Sequence, residues 1–540
     1  MKQPWLKVLL SLGSGILMSL AAAPLNAWWL AWIALVPFWV VVSRSQESGR
    51  SRRSLLYPLA WGFGYHGLTL SWILGLHPLT WMGLPWLASV AIAVFCWGFI
   101  TLWGTAANLA WAWVMGWISR RPQREARSQK PDGVEIFRQT AIAPEVGKSF
   151  RSTLTKIWVG TALWCGLEFG LNLTPLSWTS LSFTQSPGNL VILHLGRLSG
   201  PFVVTAAIVA CNGLLAEAWM QRQDNARSPL TLVAIAAGLL LSAHAIGYGL
   251  YLQPLADTPA NALTLGIVQG NIPTREKLSP GGIQRAVRGY VGGYETLAAQ
   301  GVDAVLTPEG SLPFLWDASR NPFYQAVVAQ GVPAWLGIFV SDGESITQSL
   351  LSIASNGEIV GRYNKIKLVP LGEYIPFQAT VGRWIGRLSP IKSSMVPGRT
   401  DQTFDTPFGR AIASICYESV FPELFRAQVA TGGQFILTAS NLDPYSEVLM
   451  AQHQAQDLMR AIETDRWAAR ATNTGYSGFI DPHGKVIWRS QPRVYQLHAE
   501  TIYRRHTQTL YYRWGDWLTP TLLATAAMLL IFQQVKNLHP

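Results

Sequence analysis

The sequence predicts a polytopic α-helical membrane bundle with eight spans that carries an α/β domain outside the membrane. Of its 540 residues, 49% are hydrophobic and only 13% are charged, whereas ordinary soluble domains are about 25% charged. The chain also contains 25 Trp, a residue that collects at membrane–water boundaries. Its long apolar runs occupy the first half and the C-terminal end, and they leave one polar stretch over about 262–505.

Eight apolar runs are long enough to cross a bilayer, for which about 17 residues are the lower limit. They lie near 6–22, 27–43, 55–76, 84–117, 157–173, 198–219, 229–250 and 517–534. The first resembles a signal peptide, but Pro24 directly follows the small residues that cleavage would require, so we interpret it as a retained span. The fourth exceeds the bilayer thickness, and we expect it to tilt or project. The chain then divides into a seven-span domain (1–255), a polar domain (256–510) and a last span (511–540).

The basic residues indicate how the chain is oriented. Lys and Arg are concentrated in alternate loops, near 44–53, 120–156 and 222–227, whereas the intervening loops contain none. By the positive-inside rule the basic loops and both termini face the cytoplasm, and the polar domain lies on the outer side. The net charge of +12 is therefore a signal of topology with some attraction for anionic lipid, and not a nucleic-acid footprint. We assign no function to the basic loop 119–156.

Six ionisable residues fall within spans or at their ends: Lys7, His66, Glu168, Arg197, Glu217 and His244. Charge inside a membrane is costly and often functional. Interfacial anchoring or an intramembrane hydrogen bond is nevertheless the more frequent reason for such residues. For Arg197, which lies near the outer interface, contact with a lipid phosphate is the alternative.

The polar stretch has the pattern of a layered α/β domain. Strands are predicted at 264–269, 304–307, 333–340, 350–354, 435–439, 477–480 and 486–489, and helices near 282–299, 423–430 and 448–468. Asn356-Gly357 and His483-Gly484 are typical of hairpin turns. We interpret the methionines of the last helix as core residues.

Cys416 lies where a buried strand, Ala411 to Ile415, gives way to a helix that starts just past Pro422. The other three cysteines lie in apolar runs, so we expect no disulfide framework. A cysteine at a strand-to-helix turn is exposed beside free backbone N–H groups, which suits a thiolate nucleophile and an oxyanion. A buried structural cysteine is the alternative, and this stretch alone leaves both open.

Two further groups complete a set suited to acyl transfer. Glu309 follows the strand 304–307, and Lys365 lies in the segment 362–370. The carboxylate can take the thiol proton, while the ammonium stabilises first the thiolate and then the tetrahedral oxyanion. The backbone N–H after Cys416 can be a second oxyanion donor. The domain has too few His and Cys at ligand spacing for a metal site, and we expect no metal and no cofactor.

These residues resemble the three catalytic blocks of the nitrilase (carbon–nitrogen hydrolase) superfamily. The blocks are Thr307-Pro308-Glu309, Tyr363-Asn364-Lys365 with Pro370 to Tyr374, and Cys416-Tyr417-Glu418. The segments 266–273 and 470–475, Ala23-Pro24 and the order of seven spans, domain and span resemble more narrowly its membrane-bound apolipoprotein N-acyltransferase family. The resemblance covers almost the whole chain.

The resemblance implies an αββα sandwich on the outer face of an eight-span bundle in a bacterial inner membrane. Glu309 would be the general base, Lys365 the oxyanion stabiliser and Cys416 the nucleophile, with Lys367 as the rival of Lys365. Supporting or substrate-binding roles would fall to Glu373, Tyr417 and Glu418. The implied reaction moves an acyl chain from a membrane phospholipid, through a Cys416 thioester, to the N-terminal amine of a diacylglyceryl-cysteine lipoprotein.

Several points stay open at the sequence level. The apolar segments 311–316 and 374–377 are either lipid-facing walls and a lid or plain surface loops. The family usually has Trp where this chain has Leu278, and an Asp-Ala-Trp-Phe-Gly-like segment where it has 441–447; both differences bear on substrate fit. The competing functions are a membrane-anchored amidase or nitrilase-type hydrolase, and a transporter or receptor whose outer domain only binds.

Overall fold

The computed structural model describes residues 3–45, 52–128, 142–223, 229–343, 345–374, 395–443 and 445–538. The N-terminal half is helical, as the apolar runs predict. Its principal helices are α1 (Pro4–Ala21), α2 (Val36–Ser45), α3 (Leu56–Gly62), α4 (Trp86–Ser128), α5 (Ile142–Asn172), α6 (Phe202–Gln223) and α7 (Pro229–Tyr251).

Six helical segments among the described residues are long and apolar enough to cross a membrane, so the protein is membrane-bound. They are Pro4–Ala21, Trp28–Ser45, Trp86–Ile118, Phe202–Gln223, Pro229–Tyr251 and Leu518–Val535. The predicted spans 55–76 and 157–173 are not among them, and the count of eight stays a prediction. The first of these is broken, because α3 ends at Gly62 and gives way to a π-helical turn (Phe63–Gly67) and a 3-10 segment (Ser71–Leu76). The second is the C-terminal half of α5, which carries Glu168.

The broken segment packs backbone to backbone against α1. A Cβ added at Gly15 would overlap the Trp61 carbonyl oxygen, and one added at Gly64 would overlap that of Leu12. Only glycine allows this approach, which brings Trp61 into an aromatic core. The Trp61 ring centroid lies 5.3 Å from that of Phe38 and 5.5 Å from that of Trp164.

The ionisable groups of the bundle have protein partners. Glu217 forms a 2.7 Å ion pair with Lys156, and His66 lies within hydrogen-bond distance of Thr179 (2.7 Å) and Asn108 (3.0 Å). A buried polar group in an apolar medium is costly unless it is paired. These contacts satisfy the buried groups within the protein, and their place in the membrane stays a prediction.

The polar domain contains two sheets among the described residues. The strands are β1 (Ala262–Gln269), β2 (Ala304–Leu306), β3 (Leu312–Leu315), β4 (Ala334–Asp342), β5 (Ser345–Ile353), β6 (Ile359–Asn364), β7 (Phe404–Thr406), β8 (Gly409–Ile415), β9 (Ile436–Ser440), β10 (Ala468–Thr472), β11 (Gly478–Ile480), β12 (Val486–Arg489) and β13 (Gln496–Tyr503). The first sheet has the strand order β13-β1-β2-β4-β5-β6, with β3 beside β4, and the second has the order β12-β11-β10-β9-β8-β7.

The two sheets face each other and are covered by helices on their outer faces. Buried residues of both sheets, such as Ile267 and Ile415, share one core. The outer face of the first sheet packs against α8 (Pro280–Ala299) and α9 (Pro322–Gln330). The outer face of the second packs against α10 (Pro422–Ala430) and α11 (Glu447–Thr464). The domain is therefore the αββα sandwich that the resemblance implies.

The second helical layer also faces the membrane bundle, because apolar residues of α11 and of α2 and α6 belong to one continuous core. Polar contacts reinforce this junction. Arg197 pairs with Asp465 at 3.2 Å, so its charge is directed to the α/β domain, and Asn172 at the end of α5 donates to Glu423 at 3.0 Å. The C-terminal helix α12 (Leu518–Leu538) returns to the bundle and packs beside α5.

Several predicted elements differ in extent from those observed. The helix predicted over 448–468 ends at Thr464, because Asp465 adopts a left-handed conformation (φ 56°) and Ala468 opens β10. The apolar segment 311–316 contains strand β3. Most of the segment 374–377, and the middle of the basic loop, lie outside the described residues.

Candidate active site

The ammonium group of Lys365 lies between two carboxylates. Its Nζ atom is 2.8 Å from Glu309 Oε1 and 2.6 Å from Glu373 Oε1. Lys365 directly follows β6, and Glu309 lies three residues beyond β2, at the same edge of the first sheet. Three of the sequence-predicted site residues are thus in direct contact although 64 positions separate the first from the last.

Mutual electrostatics fix the charge of this cluster. Burial alone lowers the pKa of Lys365, but the carboxylates of Glu309 and Glu373 raise it well above its ordinary value. Burial also raises the pKa of Glu373, while Lys365 acts in the opposite direction. The two carboxylates thus favour the charged form of the ammonium, which is the form that an oxyanion stabiliser needs.

Cys416 lies at the end of β8 in the second sheet, opposite this cluster. Its backbone is left-handed (φ 53°), an unusual conformation for a residue other than glycine, and its side chain is half-buried. The Sγ atom lies 3.7 Å from the Asn441 carbonyl oxygen. Burial, followed by the charge of Glu309, raises the pKa of the thiol well above its usual range, and Lys365 lowers it. The resting sulfur is therefore a thiol, and a base must remove its proton during attack.

Asn441 connects the base to the nucleophile through its backbone. Its N–H donates to Glu309 Oε2 at 3.0 Å, while its carbonyl oxygen faces Cys416. Sequence reasoning assigned the segment 441–447 to substrate fit and missed this role. Every residue has a backbone amide, so the residue type of Asn441 gives no signal of this role. The only usable signal in the sequence is the position of Asn441 directly after β9, the strand beside β8.

Glu418 acts on the lysine segment through the backbone and not through the ammonium. Its carboxylate accepts hydrogen bonds from the N–H groups of Ile366 and Lys367 and, at 2.7 Å, from that of Ile415. It also accepts one from the Tyr363 hydroxyl. Burial raises the pKa of Glu418 to about 7. Since the side chain is fully buried, its role is to join the segment that follows Lys365 to the turn that follows β8.

Tyr417 joins the nucleophile turn to the membrane bundle. Its hydroxyl accepts from the Ser177 N–H at 3.0 Å and lies 2.9 Å from the carbonyl oxygens of Pro175 and Ser177. Its ring stacks on Trp178 with centroids 6.1 Å apart. The rival lysine, Lys367, instead lies over the Phe421 ring at 4.3 Å, away from the paired carboxylates.

Two further residues near the site were not singled out from the sequence. Lys277 is buried and donates to the Gly310 carbonyl oxygen at 2.9 Å, directly beside Glu309. His453 on α11 lies 2.8 Å from the Cys416 carbonyl oxygen. Leu278, the residue next to Lys277, is 55% exposed. The only sequence signal for His453 was its place on a predicted helix with core residues, and that for Lys277 was its place in a polar loop.

The comparisons with known proteins agree with this architecture. The carbon–nitrogen hydrolase family matches residues 266–506, and the apolipoprotein N-acyltransferase N-terminal domain matches residues 14–214. The apolipoprotein N-acyltransferase of a Nostoc species is 52% identical over 94% of this chain and 95% of its own length. That of a Synechocystis species is 43% identical over 97% of this chain and 100% of its own length.

A membrane-helix bundle that carries a carbon–nitrogen hydrolase domain places the chain among the membrane-bound members of that superfamily. The extent of the matches leaves no large part of the chain unaccounted for. The chain belongs to the apolipoprotein N-acyltransferase family, and it is an enzyme of that class.

Proposed function

We propose that the enzyme transfers an acyl chain from a membrane phospholipid, through a thioester on Cys416, to the α-amine of a diacylglyceryl-cysteine lipoprotein. The observation that carries this proposal is the buried ammonium of Lys365 between Glu309 and Glu373, at the sheet edge that faces Cys416. A charged donor, a carboxylate base and a thiol are together sufficient for acyl transfer.

In the first half-reaction Glu309 takes the proton of the Cys416 thiol while the sulfur attacks the ester carbonyl carbon. The electron pair of the carbonyl moves to its oxygen, and the Lys365 ammonium and the Tyr417 N–H stabilise that charge. When the tetrahedral intermediate collapses, the ester C–O bond breaks. The proton held by Glu309 passes to the leaving oxygen, and a lysophospholipid departs.

In the second half-reaction the lipoprotein amine attacks the thioester carbonyl carbon. Glu309 takes one amine proton, the C–S bond breaks, and the proton returns to the sulfur. An N-acyl product and the original thiol result. Glu373 and Glu418 support both steps, the first by holding the ammonium directly and the second by fixing the backbone that follows it.

The placement of the domain suits substrates that arrive in the membrane plane. The α10–α11 layer of the sandwich packs on the bundle, and the residue after the nucleophile contacts the membrane-domain loop at Ser177. With the domain packed on the bundle in this way, the ester and the amine reach Cys416 from the lipid, and the access of water to the site is limited. Water would otherwise hydrolyse the thioester. We further propose eight spans, boundaries at 255 and 510, and a bacterial inner membrane with this domain on the periplasmic side.

The proposal is tested by intact-mass spectrometry of the full chain after incubation with phospholipid. We expect a mass gain equal to one acyl group, labile to hydroxylamine and absent from Cys416→Ala. Addition of a diacylated lipopeptide should then discharge the adduct and yield a triacylated peptide.

Other outcomes favour the competing functions. Release of free fatty acid at the same rate with and without lipopeptide would identify a hydrolase. If the Cys416→Ala variant acylates the lipopeptide as fast as the wild type does, the thioester is excluded.

A further inference from the structure

Side chains of α11 form hydrogen bonds with the backbone of the turn that carries the nucleophile. The carbonyl oxygen of Cys416 lies 2.8 Å from His453 Nε2. Two further carbonyl oxygens of the same turn, those of Ser419 and Val420, accept from Arg460 at 3.3 and 3.4 Å. The turn therefore presents its carbonyl groups to α11.

The partners of His453 define which of its nitrogens carries the proton. Nδ1 lies 2.7 Å from Arg470 Nη1, a group that only donates, so Nδ1 is the acceptor. Arg470 is in turn paired with Asp457, whose Oδ2 lies 3.6 Å from Nδ1 and so beyond hydrogen-bond distance. Burial, and then the charge of Arg470, keep the pKa of His453 well below its ordinary value. The imidazole is thus neutral, with its hydrogen on Nε2 directed at Cys416.

The hydrogen bond to the Cys416 carbonyl has a consequence for the other side of that peptide. In a trans peptide the C=O and the following N–H point in opposite directions. The Tyr417 N–H is therefore directed away from α11. Because α11 covers the outer face of the second sheet, this direction leads towards the first sheet, where Lys365 and Glu309 lie.

We propose that His453 is a positioning residue that aims the Tyr417 N–H at the oxyanion, with Arg470 and Asp457 fixing its tautomer. The inference rests on the proposed thioester chemistry, since it concerns the second oxyanion donor of that reaction. Cys416 itself has a left-handed backbone (φ 53°). The peptide is held in place by the hydrogen bond and not by the side chain of the nucleophile.

The test compares two reactions of the same sulfur. Acylation by phospholipid builds charge on a carbonyl oxygen and needs the aimed N–H, whereas alkylation by iodoacetamide displaces iodide from a saturated carbon and does not. His453→Leu removes the donor, and His453→Gln keeps one at the reach of Nε2. For His453→Leu we expect the rate of Cys416 acylation, followed by intact mass, to fall roughly 30-fold or more. We expect its alkylation rate, followed by peptide mass mapping, to stay within about twofold of wild type, and His453→Gln to recover most of the acylation rate.

Gln454→Leu is the matched control, because it places the same residue at the next position of α11. Among the described residues its side-chain nitrogen has no hydrogen-bond partner, so acylation should be unchanged. Equal acylation in His453→Leu and wild type would overturn the proposal, as would a parallel loss of alkylation. If His453→Leu does not fold, the same comparison can be made between His453→Asn and His453→Gln. Asparagine is too short to reach the Cys416 carbonyl oxygen, whereas glutamine is long enough. Equal acylation rates in these two variants would again overturn the proposal. A wild-type protein that alkylates but never acylates would instead refute the thioester itself.

Discussion

Lys365 carries a positive charge in a place where two negative charges would otherwise meet. Glu309 and Glu373 each contact its ammonium and are themselves buried or nearly so. Two carboxylates at short range repel each other without such a cation. Loss of the ammonium would therefore remove the oxyanion stabiliser and leave Glu309 and Glu373 facing each other without the cation between them.

We predict that Lys365→Met lowers the rate of acyl-adduct formation by more than about 100-fold. Breaking a buried ion pair by removing one partner also costs about 3 kcal/mol of stability. The double variant Lys365→Met with Glu373→Gln removes the surplus charge, so its thermal midpoint should recover while acylation does not. Adduct formation by Lys365→Met within tenfold of the wild-type rate would contradict the assigned role.

Lys277 gives a pH dependence whose sign follows from its burial. Burial lowers its pKa from about 10.5 to about 8, against the attraction of Asp443 and Glu309. The unfolded chain therefore binds more protons than the folded chain between these values, and stability rises with pH across that window. The stabilisation that the uncharged Lys277 amine gives to the folded chain is complete above about pH 10.5 and is lost as the pH falls through about 8.

We expect the melting temperature of the wild type to rise, relative to that of Lys277→Met, as the pH increases from 7.5 to 10. Differential scanning fluorimetry of both proteins in the same detergent measures the difference, which cancels pH effects common to the two. If the melting temperatures of the two proteins changed in parallel over this pH range, burial would not lower the pKa of the Lys277 amine in the way described. Acylation by Lys277→Met should also fall, because the Gly310 carbonyl beside Glu309 loses its donor.

At the scale of elements, short-range patterns were enough wherever one signal dominated. The strand that ends at Ile415 follows from a run of small or apolar residues. The helix after Pro422 and the helix 282–299 follow from the proline and from helix periodicity. Strand β10 did not, because Ala468 to Thr472 continues the apolar pattern of α11, and the left-handed Asp465 that separates them has no strong sequence signature. Strand β13 pairs with β1 from 227 or more positions away, which no local pattern reveals.

The candidate site was predictable where chemistry selects the side chain and unpredictable where the backbone acts. Glu309, Lys365 and Cys416 are scarce polar residues at strand ends, so their types stood out. Asn441 contributes an amide and a carbonyl that any residue has. The broken segment at 55–76 was missed for a related reason, since hydropathy measures composition and does not register the turn at Phe63–Gly67.

The loop between α5 and α6 depends on one carboxylate of α5, that of Glu168. Glu168 Oε1 accepts from Trp164 Nε1 and the Leu181 N–H at 3.0 and 2.9 Å. Its Oε2 accepts from the hydroxyls of Ser180 and Thr205 at 2.6 and 2.9 Å. These bonds hold the segment that carries Ser177 and Trp178 beneath Tyr417.

Glu168→Gln and Glu168→Leu should differ sharply. Glutamine keeps an acceptor for the two N–H donors, and its amide can donate to hydroxyls that are free to turn. Leucine takes away the acceptor of Trp164 Nε1 and of the Leu181 N–H, so we expect the free energy of unfolding to fall by about 1–3 kcal/mol and acylation to slow. Tryptophan fluorescence during thermal unfolding checks the first effect, and intact mass checks the second. Equal melting of the two variants would mean that the loop does not depend on these bonds.

At the scale of the whole molecule, α11 is in contact with both halves of the protein. Gln452 accepts from Trp178 Nε1 at 2.7 Å and donates to the carbonyl oxygens of Ala23 and Thr69 at 3.1 and 3.0 Å. The next residue, His453, lies against the nucleophile turn. Three separate membrane segments are thus tied to the helix that supports Cys416, and the bundle acts as a positioning frame as well as an anchor.

We predict that Gln452→Leu loosens this junction without unfolding the α/β sandwich. Amide hydrogen exchange should accelerate around Ala23, Thr69 and Trp178, because local opening no longer requires these bonds to break. Gln428→Leu is the matched control, since that buried glutamine also makes three hydrogen bonds, but all lie within the α/β domain. It should accelerate exchange in β8 and α10 and leave the three membrane segments unchanged. Equal exchange of those segments in Gln452→Leu and wild type would show that apolar packing alone holds the domain on the bundle, and that Gln452 adds nothing to it.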